Sequence, residues 1–152
     1  MKVLLDANIL LRCVDNGHPH QHVALAALDV IEAAGWKACL VPQSLYEYWV
    51  VATRPSDKNG MGRGVVVAAK DVDDYATTFS LLTDEVEIFP LWRTLVETHR
   101  VQGKTAHDTR LVAAMLHHGV SHLLTFNVKD FERYSEIVTI SPEAVANGQW
   151  PV

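Results

Sequence analysis

The chain has 152 residues, 49% of them hydrophobic and 20% charged, enough for one domain with a real core and no covalent staple. Glycine and proline number 8 and 6, which excludes a low-complexity or collagen-like chain. The net charge of −5 excludes a bulk attraction to nucleic acid but leaves room for a local basic patch.

Cys13 and Cys39 are too few for a disulfide framework or a four-cysteine zinc site. They read as small buried hydrophobes in a reducing cytosol. Lys2 followed by Val3-Leu4-Leu5 mimics the start of a signal peptide, but Asp6 ends the apolar run too early. Nothing approaches the roughly 18 apolar residues of a membrane helix. A soluble cytoplasmic protein is expected, without membrane contact.

Strand-length apolar runs alternate with helical patterns. Val3-Leu4-Leu5 predicts a buried strand. Pro19 to Ala34 predicts a helix, with a stripe at Val23, Ala27, Val30, Ile31 and Ala34, and Gly35 as its stop. Ala38 to Val41 predicts a second strand. Leu45 to Thr53 predicts a dense apolar helix ended by Arg54-Pro55. The turn-rich residues 55–64 predict a mobile loop.

From Val65, steps of three and four through Ala68, Val72, Tyr75, Phe79 and Leu82 predict an amphipathic helix. Val86 to Phe89 predicts a third strand, and Pro90 to Val101 a helix broken by Gly103. Ala106 to His118 predicts a helix whose stripe is Leu111, Val112 and Met115, ending at Gly119. His122 to Phe126 and Ile137 to Ile140 predict two last strands. Ser141-Pro142-Glu143 caps a short final turn. Strands separated by helices imply one α/β domain over residues 1–152, with a parallel sheet between helical layers. In such sheets ligands bind beyond the C-terminal strand ends.

Several polar groups stand where apolar ones belong. Asp6 and Asn8 are the polar members of Val3–Leu11. A carboxylate leaving a buried strand must cap a turn, pair, or bind a metal. Glu47 is the one charge in Leu45–Ala52; alone it reads equally as the partner in a capping box, Ser44-x-x-Glu47. Asp108 lies on the inward stripe near a helix start, where Thr105-x-x-Asp108 is another possible box. Asn127 and Asp130 follow the fourth strand, where turn residues are common. Together these positions can face one crevice, with Glu47 and Asp108 in first helical turns. Clustered carboxylates repel unless protons or a cation neutralise them, and oxygen ligands suit Mg2+ or Mn2+.

The segments VLLDANILL, PQSLYEY, KTAHDTRLVAAML and HLLTFNVKDFERY, in this order, resemble the PIN-domain nucleases, most closely the VapC-type toxins of bacterial toxin–antitoxin pairs. The resemblance covers nearly the whole chain. It implies a three-layer α/β/α fold around a mostly parallel sheet of four or five strands. It also implies a Mg2+- or Mn2+-dependent endoribonuclease that hydrolyses RNA to a 5′-phosphate and a 3′-hydroxyl. The matching catalytic positions are Asp6, Glu47, Asp108 and Asn127, with Asp6, Asp108 and Glu47 as metal ligands. Asn8, Thr125 and Asp130 match supporting positions. Asn127 departs from the aspartate often found there, supplying an oxygen without charge. A homodimer and a small antitoxin are implied as partners.

RNA phosphates would need cations near the crevice. Arg12, Lys104, Arg110 and Lys129 are the candidates near it, with Arg54, Lys58 and Arg63 in the loop after the Glu47 helix. Tyr46, Tyr48 and Trp49 have the chemistry to stack bases, but their helical spacing favours core packing. His18, His20 and His22, and later His117, His118 and His122, lack the companions of a zinc site. The acids alone fit two alternatives, a DNA nuclease and a metal-dependent phosphatase. A non-catalytic interaction module is the third.

Overall fold

The computed structural model describes residues 1–150; the last two residues of the 1–152 unit lie outside them. The elements in chain order are β1 (Lys2–Leu5), α1 (Ala7–Cys13), α2 (Gln21–Ala33), β2 (Lys37–Leu40), α3 (Pro42–Thr53), α4 (Val65–Thr78), β3 (Ser80–Leu81), α5 (Ile88–Thr98), α6 (Thr105–His118), β4 (His122–Leu124), β5 (Val138–Ile140) and α7 (Pro142–Ala146). The five strands form one sheet in the order β3-β2-β1-β4-β5, and every pairing is parallel. This is the three-layer α/β/α fold expected from the sequence.

The strand period of two sorts β1 between two cores. Val3 and Leu5 join Ile9, Leu10, Ile31, Leu40 and Tyr48 on one face. Leu4 joins Leu111, Val112, Met115, Leu123 and Phe131 on the other, where α5 and α6 pack. The chain runs from β1 to β2 on one side, and reaches β4 on the other side of β1. A crevice therefore opens at the C-terminal ends of β1 and β4, where the winding reverses.

Four local expectations are corrected. The run Val86–Phe89 is not a strand: Val86 is 82% exposed and Ile88 and Phe89 begin α5, with Pro90 tolerated in its first turn. The third strand is Ser80–Leu81, too short to carry a period. The helix from Val65 stops at Thr78 rather than Leu82. An unpredicted helix, α1, follows Asp6; its seven residues are too few to show a helical stripe.

The fourth correction concerns residues 55–64, which fold back on α3. The amides of Met61, Gly62 and Arg63 donate to the carbonyls of Val51, Arg54 and Ala52 at 3.0, 2.8 and 2.8 Å. These are carbonyls that the helix end leaves unpaired. A Cβ on Gly60 would lie 2.0 Å from the Arg54 carbonyl oxygen, so only glycine fits. Arg63 then pairs with Asp71 of α4 at 2.8 Å, and the buried Tyr48 hydroxyl donates to the same carboxylate at 2.6 Å. The segment is thus tied to two helices.

Candidate active site

Asp6 leaves β1 as the N-cap of α1, its Oδ1 accepting the Ala7 amide at 2.8 Å. The capping role read from sequence is therefore real, but it occupies one oxygen. Thr125, just past β4, donates its hydroxyl to Asp6 Oδ2 at 2.7 Å. The same Thr125 oxygen accepts from Asn8 Nδ2 and from the Asn127 amide, each at 3.0 Å. Asn8 also accepts the Phe126 amide at 3.3 Å. The ends of β1 and β4 are thus laced across the switch point through Asp6, Asn8 and Thr125.

Glu47 reaches the crevice from α3. Neither capping box forms. Ser44 is buried and donates to the Leu5 carbonyl at 3.1 Å, which holds α3 to the end of β1. Helix α3 begins at Pro42, so Glu47 lies in its second turn rather than its first. Thr105 is the first residue of α6, and no side chain caps that helix. Asp108 lies in its first turn, where an anion is favoured.

Asp6, Asn8, Glu47, Asp108, Asn127 and Asp130 all line one cavity of about 850 Å³. Arg54, Lys104 and Arg110 line it too. Thr125 lies beneath it, fully buried. Arg12 does not line it; its guanidinium pairs with Asp15 at 2.7 Å. Arg110 is half committed, with Asp84 at 3.0 Å and the Gln43 amide oxygen at 2.9 Å. Tyr48 is core, whereas Tyr46 is exposed on the cavity wall.

Gln43 is not among the residues singled out in the sequence. It is 6% exposed, and its Nε2 donates to Glu47 Oε1 at 2.8 Å and to the His107 carbonyl at 2.7 Å. It thereby fixes Glu47 and joins α3 to α6. The one clue was its place four residues before Glu47, on the same helix face.

The electrostatics follow from burial and crowding. Asp6 is 7% exposed, and its carboxyl is pushed up to about 6, chiefly by loss of water, with Glu47 and Asp108 adding like charge. The Thr125 hydrogen bond opposes this. Asp108 is also pushed up to about 6, by burial first, then by Glu47 and Asp130. Three carboxylates from β1, α3 and α6 therefore feel one another. Among the described residues no group of three or more His, Cys, Asp or Glu side chains is placed to hold a metal ion. The carboxylate and amide oxygens of Asp6, Glu47, Asp108, Asn127 and Asp130 suit a hard divalent cation, and His107 is the one imidazole on the cavity lining.

No family model and no curated protein matches this sequence. Solved structures do. VapBC2 from Rickettsia felis, bound to a DNA fragment from its promoter, superposes with a TM-score of 0.66 at 16% identity, covering 93% of this chain and 98% of that one. A toxin–antitoxin complex from Klebsiella pneumoniae gives 0.62 at 19% identity, covering 92% and 97%. VapC20 from Mycobacterium tuberculosis, a toxin that cleaves the sarcin–ricin loop, gives 0.55 at 15% identity, covering 80% and 86%. The fold is the PIN-like fold of VapC toxins.

Proposed function

We propose that this chain is a Mg2+- or Mn2+-dependent endoribonuclease, acting as the toxin of a toxin–antitoxin pair. The observation that carries the reading is the meeting of Asp6, Glu47 and Asp108, from three separate elements, in one cavity at the switch point. A buried acid such as Asp6, with two half-buried acids crowding it, is costly unless it serves a cation.

Asp6, Glu47 and Asp108 would hold the ion, and Asn127 would add a neutral oxygen. When bound, a divalent ion supplies Lewis acidity and neutralises charge that builds on the phosphate during hydrolysis. Thr125 and Asn8 keep the Asp6 carboxylate in one rotamer. Gln43 does the same for Glu47. Asp130 lines the cavity beside Asp108 and raises the local negative charge. Arg54 and Lys104 line the rim without an ion pair to a described residue. They would position the backbone phosphates of the strand.

The partner assignment belongs to the same reading. A small antitoxin and a second copy of the chain are assigned as partners, since Val66, Val86 and Phe89 leave apolar surface exposed. No helix among the described residues is long and apolar enough to cross a membrane. We place the protein in the cytoplasm, where RNA is found and where the free thiols of Cys13 and Cys39 stay reduced.

The test is cleavage of RNA by purified protein with Mg2+ or Mn2+, comparing wild type with Asp6→Asn and Asp108→Asn. Each substitution is expected to reduce the rate at least a hundredfold. Equal cleavage by all three proteins would remove the site. Single-stranded DNA and small phosphate esters serve as parallel substrates. Turnover of those alone would move the assignment to a DNA nuclease or a phosphatase.

A further inference from the structure

The cavity has two unlike walls. Along α3, Tyr46 and Val50 follow at a step of four, Arg54 stands just past the helix end, and all three line the cavity. Tyr46 is 64% and Val50 is 54% exposed. Phe131, the other aromatic of the cavity, is buried in the core. Tyr46 is therefore the one ring on this wall with a free face among the described residues. Burial offers no reason for it, because its neighbour Tyr48 already fills the core.

On the far side the carboxylates open into a second hollow of about 760 Å³, shared through Lys104, His107, Asp108 and Asp130. Lys129 and Arg133 also line it, and neither is in an ion pair with a described residue. The acids thus lie between an apolar wall that carries one open aromatic ring and a charged limb where Lys104, Lys129 and Arg133 stand with Glu132. That contrast matches a polynucleotide strand, whose bases are flat and weakly polar on their faces while its phosphates are charged.

We propose that Tyr46 is the specificity-determining stacking platform for one unpaired base next to the cleaved phosphate, with Lys129 and Arg133 holding the phosphates on the other side. The assignment rests on the ribonuclease reading and names the form of its substrate. Stacking of this kind is sequence-tolerant, so Tyr46 selects an unstacked base rather than a particular one. The base lies over Tyr46 and Val50, and Arg54 meets the phosphate beyond it. A fully paired duplex keeps its bases inside and offers nothing to this wall.

The test measures binding of a fluorescein-labelled single-stranded oligoribonucleotide to Asp6→Asn protein by anisotropy in Mg2+. The strand is short, about four nucleotides, so that it has one register, and a single abasic position is moved along it one nucleotide at a time. One position is expected to weaken binding about tenfold, and Asp6→Asn carrying Tyr46→Ala is expected to bind as weakly and to lose that position dependence. Tyr46→Phe, which keeps the ring, is expected to restore both. The combined variant Lys129→Ala, Arg133→Ala is expected to lower the salt dependence of binding by about two phosphate contacts.

Equal sensitivity at all abasic positions, or unchanged binding by Tyr46→Ala, would overturn the platform. So would unchanged RNA binding together with a changed oligomeric mass, which would assign Tyr46 to a protein interface. Failure of wild type to cleave more than Asp6→Asn would overturn the nuclease reading alone, since the binding measurement does not use cleavage.

Discussion

Asp6 shows how a buried carboxyl group is held at a cost to the fold. Its carboxyl is pushed up to about 6 by burial and by its acidic neighbours. The native state therefore binds this proton more tightly than the unfolded chain does. The group favours folding below about pH 4, loses that advantage as pH rises to about 6, and leaves a constant penalty above. In metal-free protein at pH 7.5 or so, Asp6→Asn should raise the melting temperature by about 5 °C, from about 2 kcal/mol. The gain should vanish near pH 4. Thermal melts at both pH values check this, and a lower melting temperature for Asp6→Asn at neutral pH would contradict it. The amide keeps one acceptor oxygen for two donors, the Ala7 amide and the Thr125 hydroxyl, so a lost hydrogen bond offsets part of the electrostatic gain. This residue was legible in the sequence for the same reason: a lone acid in VLLDANILL is expensive unless it has work to do.

Elements bring the acids together through contacts that no local pattern announces. Gln43 is the clearest case, for it bridges Glu47 to the His107 carbonyl and to Arg110 across 64 and 67 residues of chain. An amide in a helix carries no cost that a sequence can display, so its partners had to be seen. Gln43→Ala should weaken Mn2+ binding and RNA cleavage by about ten- to a hundredfold, the usual effect of freeing a ligand's support. It should leave the helical circular-dichroism signal intact. Calorimetry and steady-state kinetics measure the two, and wild-type values for both would dismiss the bridge. The misread strand has a similar lesson. Val86-Glu87-Ile88-Phe89 is apolar enough for a strand, but the turn at Val86 and Glu87 leads it straight into α5. The two residues of β3 owe their place to pairing with Cys39 and Leu40 of β2, a tertiary decision that their own side chains do not encode.

The whole molecule was legible earliest. Alternation of apolar runs with helical stripes implied a parallel sheet with helices on both faces, and the sheet is parallel throughout. Handedness and strand order then place the site without reference to any single residue. Because β1 lies between β2 and β4, the winding reverses there and a crevice opens beyond the ends of β1 and β4. Asp6 and Thr125 stand at that crevice, and α3 and α6 carry Glu47 and Asp108 to its rim. The close binding of residues 55–64 to α3 was not legible, since Gly60 and Gly62 suit any turn and the carbonyls they serve are invisible in sequence.

The joint claim of all three scales is that Asp6, Glu47 and Asp108 share a single divalent cation. Calorimetric titration of Mn2+ into metal-free wild type, Asp6→Asn, Glu47→Gln and Asp108→Asn addresses it without RNA. The account predicts saturable binding to wild type, with each variant weakened at least tenfold. Wild type that takes up no Mn2+, or variants that bind it as wild type does, would contradict the shared site.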